Sequence, residues 1–574
     1  MKSANKEILS SFFTNNYQYM IPFFQRSYVW SEENWQLFWE NIEEELESFN
    51  RQEKSEHFIG TIITKQLTSD NFSTQPMELI DGQQRLTTVS LILKAIADTA
   101  DGTYPKLKEQ TDQLIKFQDT KGDTFLRLRH SKIDSKYFDA VMLGRDFSDL
   151  DNKHHPIILG YQFFKNRLKD FSDEQRDNLK NMLLNRFPVI SMLLEERDDE
   201  QEIFDTINSL GVRLTIGELL KNYIFRDEEL KEHYQEHWYK VFEADESTIQ
   251  FWETTKTAGR VQRTNLELLL YCFLIIETGS EVRLEKLYKE YKKYLKDRSN
   301  DEKIAFLVNL KNYAADYQQF PAGTELNEIS FSEHEKRLFH IIEYLEITTV
   351  YPLLLFLYRQ VQDAAEKEKC LLLLESYLVR RMVCKLTSKN YNRLFIGLIN
   401  NLKKVARLDY NAFEECIKDF SEDTNRMPDD DEFRRGFLDS YLYNKYAREV
   451  LYCIALYQLD NNYSDVRKLS AQSYSVEHMM PKKWEENWLD KDMTEAEKDI
   501  RHRKLKTLGN LTLVTKALNS KLKNFAWANK RSILKEYSLL TLTSKYLELE
   551  EWDEDQISAR GDTLAELALK IWRR

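Results

Sequence analysis

The chain has 574 residues, too many for one hydrophobic core, and a length that fits about three or four domains. Its 82 Lys and Arg against 95 Asp and Glu leave a formal net charge of −13, which excludes a protein that coats nucleic acid indiscriminately but not one with a local basic groove. The low counts of 15 Gly and 9 Pro point to a mainly helical chain; five scattered Cys with no CxxC pair indicate neither a zinc knuckle nor a disulfide framework. With no apolar run long enough to span a bilayer and no signal-peptide core, a cytoplasmic protein without a membrane partner is expected.

The first region runs over residues 1–226. IPFFQRSYVW (Ile21 to Trp30) leads into SEENWQLFWENIEEEL, where Ser31 is the expected N-cap and Trp35, Phe38, Trp39 and Ile42 form the buried stripe of a helix. HFIGTIITKQ (His57 to Gln66) reads as a strand, and MELIDGQQRLTT as a strand over Met77 to Ile80, a tight turn and a helix from Gln83. Gly82 permits the turn, and the helix start favours an anion that Arg85 grips in bidentate fashion. Asp81 serves this site or simply caps the helix. No Walker A sequence, GxGxxG or triad is present. His130, His154 and His155 lie in polar surroundings and are expected at the surface.

The second region, residues 227–458, is helix after helix. NLELLLYCFLIIETG, ITTVYPLLLFLYRQV and KCLLLLESYLVRRMVC are apolar nearly all round, as in a buried bundle, with Gly279 and Gly323 marking breaks. Arg380, Arg381, Lys385 and Lys389 either face DNA or are solvated, the second being favoured. NRMPDDDEF (Asn425 to Phe433) is expected to be an acidic surface loop.

The third region, residues 459–574, carries SYSVEHMMPKKW (Ser473 to Trp484) and TLGNLTLVTKALNSKLKNFAWANK (Thr507 to Lys530). Ser473 to Val476 read as a short strand that delivers Glu477 and His478 to its end, where Pro481 breaks the pairing. After a polar helix, Leu511 to Val514 form a second strand opened by Gly509 and Asn510. Lys516 to Lys530 read as one helix with Leu518, Leu522 and Phe525 inward. A neutral imidazole takes a proton from water near neutral pH, and a carboxylate with an amide oxygen suits Mg²⁺ or Mn²⁺. Arg501 to Lys535 holds ten Lys and Arg and no Asp or Glu. That single-sign tract reads as a phosphate track on which Lys521, Lys523 and Lys530 contact DNA.

The C-terminal pattern resembles the HNH endonuclease motif in its ββα-metal form. The resemblance places Glu477 and Asn519 on the metal ligands, His478 on the general base and Asn510 on the loop-bracing asparagine. Glu477 stands where the family often has Asp. IPFFQRSYVW with DGQQRLTT resembles the ParB/sulfiredoxin-like domain at the N-terminus of the GmrSD family of type IV restriction enzymes. EIFDTINSLGVRLTIGELLKNYIF adds that domain's Asn208, Gly211 and Leu214, and Glu375 to Phe395 is similar to its mid-chain segment. The family's nucleotide site carries over onto Asp81, Gly82, Gln83, Gln84 and Arg85. Gln25 and Arg26 sit in the companion motif, Arg26 being equally a structural ion-pair partner.

The resemblance implies an α+β, mainly helical protein: a ParB-like nucleotide-binding domain, a helical connector and an HNH nuclease domain. The implied function is anti-phage restriction of double-stranded DNA carrying modified bases such as glucosylated hydroxymethylcytosine. Cleavage needs Mg²⁺ or Mn²⁺ and is regulated by binding or hydrolysis of GTP, UTP, ATP or CTP, with a homodimer left open. Relatives sense other modifications, including a phosphorothioate backbone. The rival readings are a nucleotide-switched DNA-binding scaffold with a structural HNH segment, and a nuclease acting on RNA.

Overall fold

The computed structural model describes residues 3–22, 25, 27–67, 75–118, 122–130, 132–148, 150–195, 215–258, 261–461, 467–488, 493–538 and 540–574. It is α+β and mainly helical. Arg26, Asn208, Gly211 and Leu214, singled out above, lie outside the described residues. The chain divides into two compact units, Met1–Asp227 and Glu228–Arg574.

The first unit is built on a six-stranded mixed sheet. Its strand order is Ser3–Ile8, Pro188–Leu194, Thr61–Gln66, Gln75–Asp81, Tyr17–Met20, Leu128–Arg129. Tyr17–Met20 runs parallel to both of its neighbours, Gln75–Asp81 and Leu128–Arg129. Three strands therefore end on one sheet edge, and antiparallel Thr61–Gln66 begins there. Helix Gln83–Thr99 leaves that edge and is buried on nearly all sides, from Leu86 to Ala97. The expected amphipathic helix spans Glu32–Asn50, opened by a Ser31–Asn34 capping box, with Trp35, Phe38, Trp39 and Ile42 inside.

Two of the three histidines expected at the surface are inside this unit. His130 and His155 flank Asp134, with His130 Nδ1 3.5 Å and His155 Nε2 3.3 Å from its carboxylate. His154 alone is exposed. Burial pushes the Asp134 carboxyl up, but the two adjacent imidazoles and the Tyr28 N–H outweigh it and hold the group at about 2.

The second unit packs its helices around a core that runs from Ile329 and Ile341 through Val450 to Leu511, Leu513 and Leu564. That core reaches under the strands around Glu477 and His478, and a second cluster of Met479, Met480, Trp484, Leu518 and Trp527 packs beyond them. Asn265–Thr278 is capped by a Thr264–Glu267 box and stopped by Gly279 at φ +62°. Arg380 and Arg381, expected in solvent or on DNA, are fully buried. Arg380 donates to the carbonyls of Trp572 and Pro428, and Arg381 to those of Arg426, Thr387 and Thr424. The acidic run after Pro428 is not a loop either. Asp429 caps helix Asp430–Asp439, whose first turn takes the carboxylates because the positive end of the helix dipole lies there.

Candidate functional sites

In the first unit the DGQQR turn lies at the shared sheet edge. Gly82 adopts φ +100° and starts the helix; a Cβ there would sit 2.9 Å from Ile62 Cγ1, so both conformation and space demand glycine. Arg85 donates to the Thr61 carbonyl at 2.6 Å and lies 3.7 Å from Asp81. Its guanidinium rests on Gly60, where a Cβ would come within 2.9 Å of Nη2. Gln84 accepts from the Val29 N–H at 3.0 Å and donates to the Ser27 carbonyl at 3.1 Å. Gln25 donates to the carbonyls of Leu79 and Ile80. The turn and the companion loop are therefore one hydrogen-bonded assembly. Gln25 and Gln84 spend their amides tying it together, Gln83 is buried, and Asp81 and Arg85 stay partly exposed.

The buried histidines belong to the frame of this assembly. Asp134 accepts from the Tyr28 N–H at 2.7 Å, and the Tyr28 hydroxyl meets Thr88 on the helix that begins at Gln83. A carboxylate shared between two imidazoles thus anchors the loop that carries Gln25. Asp134 lies on helix Lys132–Leu143, whereas His130 precedes that helix and His155 comes from beyond it, so neither histidine carries a periodic signal.

In the second unit Tyr474–His478 pairs antiparallel with Leu511–Thr515, placing His478 opposite Leu511 and Glu477 opposite Thr512. The following helix covers only Lys516–Leu522. It stops at Lys523, a non-glycine residue at φ +42°, and a second helix spans Trp527–Tyr537. The single helix expected to Lys530 is therefore broken, and Phe525 is 38% exposed instead of facing inward.

Asn510 is completely buried and accounts for the shape of the loop after His478. Its Oδ1 accepts from Met480 N at 2.8 Å and Trp552 Nε1 at 3.1 Å, while Nδ2 donates to the carbonyls of Met480 and Leu505. The chain before it is pinned from the C-terminal helix Glu554–Ile571. Arg560, wholly inside, donates to the carbonyls of Gly509 and Leu511 at 2.8 and 2.7 Å and to those of Leu508 and Leu542. Gly509 fits because a Cβ would fall 2.1 Å from the Ile557 carbonyl of that helix. Neither Arg560 nor Trp552 carries a sequence motif.

Asn519 donates through Nδ2 to Ser475 Oγ at 2.9 Å and to the Val476 carbonyl at 3.0 Å, which leaves Oδ1 as its free acceptor. Ser475 and Glu477, two apart on the strand, share a face. Burial lifts the Glu477 carboxyl above its ordinary value although Lys530 opposes this. Burial, then the charges of Lys482 and Lys530, lowers His478 to about 4, so its imidazole is neutral at physiological pH. No group of three His, Cys, Asp or Glu placed to hold a metal ion occurs among the described residues. A divalent cation here would rest on the hard oxygens of Glu477 and Asn519, completed by water and phosphate, and that donor set fits Mg²⁺ or Mn²⁺.

Lys521 and Lys523 are exposed, Lys521 over the ring of Tyr537. Lys530 is not a DNA contact: it is fully buried, with Nζ 2.5 Å from Glu477 Oε1 and 2.8 Å from the His478 carbonyl. Other cations of the tract find partners outside it, Arg501 on Glu554, Lys504 near Asp439 and Lys535 on Glu548.

Family models match both segments. Residues 9–225 match the GmrSD restriction endonuclease, N-terminal domain, and residues 427–567 match the GmrSD restriction endonucleases, C-terminal domain. No individual curated protein matches the chain.

Proposed function

We infer the activity from the premise those matches supply: this chain belongs to the GmrSD restriction endonuclease family. The proposed nuclease is the hairpin and helix of the second unit, read as a ββα-metal site of the HNH type. The observation that carries this reading is His478, a neutral, buried imidazole at a strand end, beside Glu477 and in a loop shaped by Asn510. His478 accepts the proton of the attacking water. Glu477 and Asn519 would hold a divalent cation, which stabilises charge on the phosphate when bound. Exposed Lys521 and Lys523 position the DNA backbone. Replacing both by alanine is expected to weaken binding to every DNA sequence alike and to flatten the log–log salt dependence of affinity by roughly two. An unchanged slope in fluorescence-anisotropy titrations would take both lysines off the phosphate path.

The first unit is proposed as a ParB-like nucleotide-binding domain. Asp81, Gly82 and Arg85 face the triphosphate at the start of a helix whose free N–H groups favour an anion. Gln25 and Gln84 hold the loop against it, and Arg26 belongs to the same motif. The proposed substrate is phage DNA carrying glucosylated hydroxymethylcytosine, with nucleotide gating cleavage. The test pairs glucosylated with plain phage DNA in Mg²⁺, with and without EDTA, titrating GTP, UTP, ATP and CTP. Only the glucosylated DNA should be cut, EDTA should stop the reaction, and one or more nucleotides should change the rate. Arg85→Ala should abolish that nucleotide response. Cleavage of neither DNA would sink the nuclease assignment, and indifference to all four nucleotides would remove the gate.

A further inference from the structure

A lysine with no exposure is costly to keep, since an ammonium ion loses its hydration and recovers it only through well-placed partners. Lys530 has two, and they belong to consecutive residues: the Glu477 carboxylate and the His478 carbonyl. We propose that Lys530 is a positioning residue of the nuclease site, clamping the cation-binding carboxylate and the general base in one geometry. This rests on the HNH reading given above.

The geometry explains why a point charge with several donors is used. Nζ is tetrahedral, and two of its N–H directions are committed to acceptors on adjoining residues. Holding Glu477 by Oε1 fixes the carboxylate that the HNH reading assigns to the cation. Holding the His478 carbonyl fixes the peptide from which the imidazole projects. On the other side of the same turn, Met479 N donates to the Asn510 carbonyl at 2.9 Å and Met480 N to the Asn510 side chain. The chain from Glu477 to Met480 is thus gripped by Asn510, just before the neighbouring strand, and by Lys530 from helix Trp527–Tyr537. That helix is a separate element because the chain turns at Lys523, and the turn is what brings Lys530 inward while Lys521 and Lys523 remain outside. An apolar side chain of similar length would fill the space without orienting either partner, so volume alone gives no reason for the charge.

The experiment titrates Mn²⁺ into the full-length protein without DNA, following free Mn²⁺ by electron paramagnetic resonance. Wild type should bind, and Glu477→Ala should lose binding. Lys530→Met should weaken affinity by about 10–100-fold, as loss of a group that orients a metal ligand does. Lys530→Gln, a neutral donor to the same acceptors, should fall between the two. Leu534→Ala, buried on the same helix, should lower the melting temperature while leaving Mn²⁺ affinity unchanged. Equal weakening by Leu534→Ala would reduce Lys530 to a structural role and overturn the proposal. Affinity that is unchanged or tighter in Lys530→Met would also overturn it, the tighter case marking a competing cation. Should Lys530→Met fail to fold, Lys530→Gln carries the same test, with wild-type affinity as the overturning result. A wild type that binds no Mn²⁺ would instead overturn the nuclease reading, and the clamp with it.

Discussion

Replacing His478 by alanine is expected to lower the rate of DNA cleavage by roughly 100- to 10,000-fold, while thermal unfolding and Mn²⁺ binding stay close to wild type. The side chain takes no part in the hydrogen bonds that shape the loop; those belong to Asn510 and to the backbone of Met479 and Met480. Its removal therefore subtracts the proposed base and leaves the frame. Burial, then Lys482 and Lys530, holds the imidazole at about 4 in the fold, against roughly 6.5 in an unfolded chain. Between these values the unfolded state binds the extra proton. The stability linked to this group is thus complete above pH ~6.5 and is lost as the pH falls through about 4. Cleavage should run in the same direction: level through mildly acidic pH, then falling toward the folded value. A His478→Ala variant that cuts at the wild-type rate would show that the imidazole is not the base.

Asn510→Ala should act on stability as well as on rate. The side chain is wholly buried and serves Met480 N, Met480 O, Leu505 O and Trp552 Nε1. Truncation leaves these groups inside the protein without that partner, each worth about 1–3 kcal/mol when unpaired. A net loss of roughly 3–4 kcal/mol is expected, since the loop relaxes in part. The loss should appear in the denaturant-induced transition of the second unit, together with a cleavage defect that Mn²⁺ excess does not repair. Wild-type stability in this variant would mean that the loop has another brace.

Much of both sites was legible because their parts lie close in sequence and follow from local rules. Gly82 between a strand and a helix announces a tight turn, and Glu477-His478 at a strand end with Gly509-Asn510 before the next strand sets out the hairpin. What escaped was decided by packing between distant segments. Lys530 reads as one more cation of a basic tract, and only the turn at Lys523 sends it inward, away from Lys521. Arg380 and Arg381 look solvated until the carbonyls that receive them, from Thr387 to Trp572, are folded around them. His155 meets Asp134 across a loop and carries no periodic signal. By charge alone the run Asp429 to Glu432 reads as a surface loop, whereas its place at a helix start is set by Asp429 as cap.

The grip of Arg560 on the Gly509 and Leu511 carbonyls has a consequence for the order in which the molecule is made. A ribosome releases the Tyr474–Thr515 hairpin before it polymerises Glu554–Ile571, so the hairpin waits for its brace throughout that interval. Until Arg560 emerges, the carbonyls around Asn510 lack their buried donor and the Gly509 backbone lacks the helix against which it packs. A nascent or prematurely terminated chain accordingly carries every candidate residue from Glu477 to Lys530 without the brace that shapes their loop.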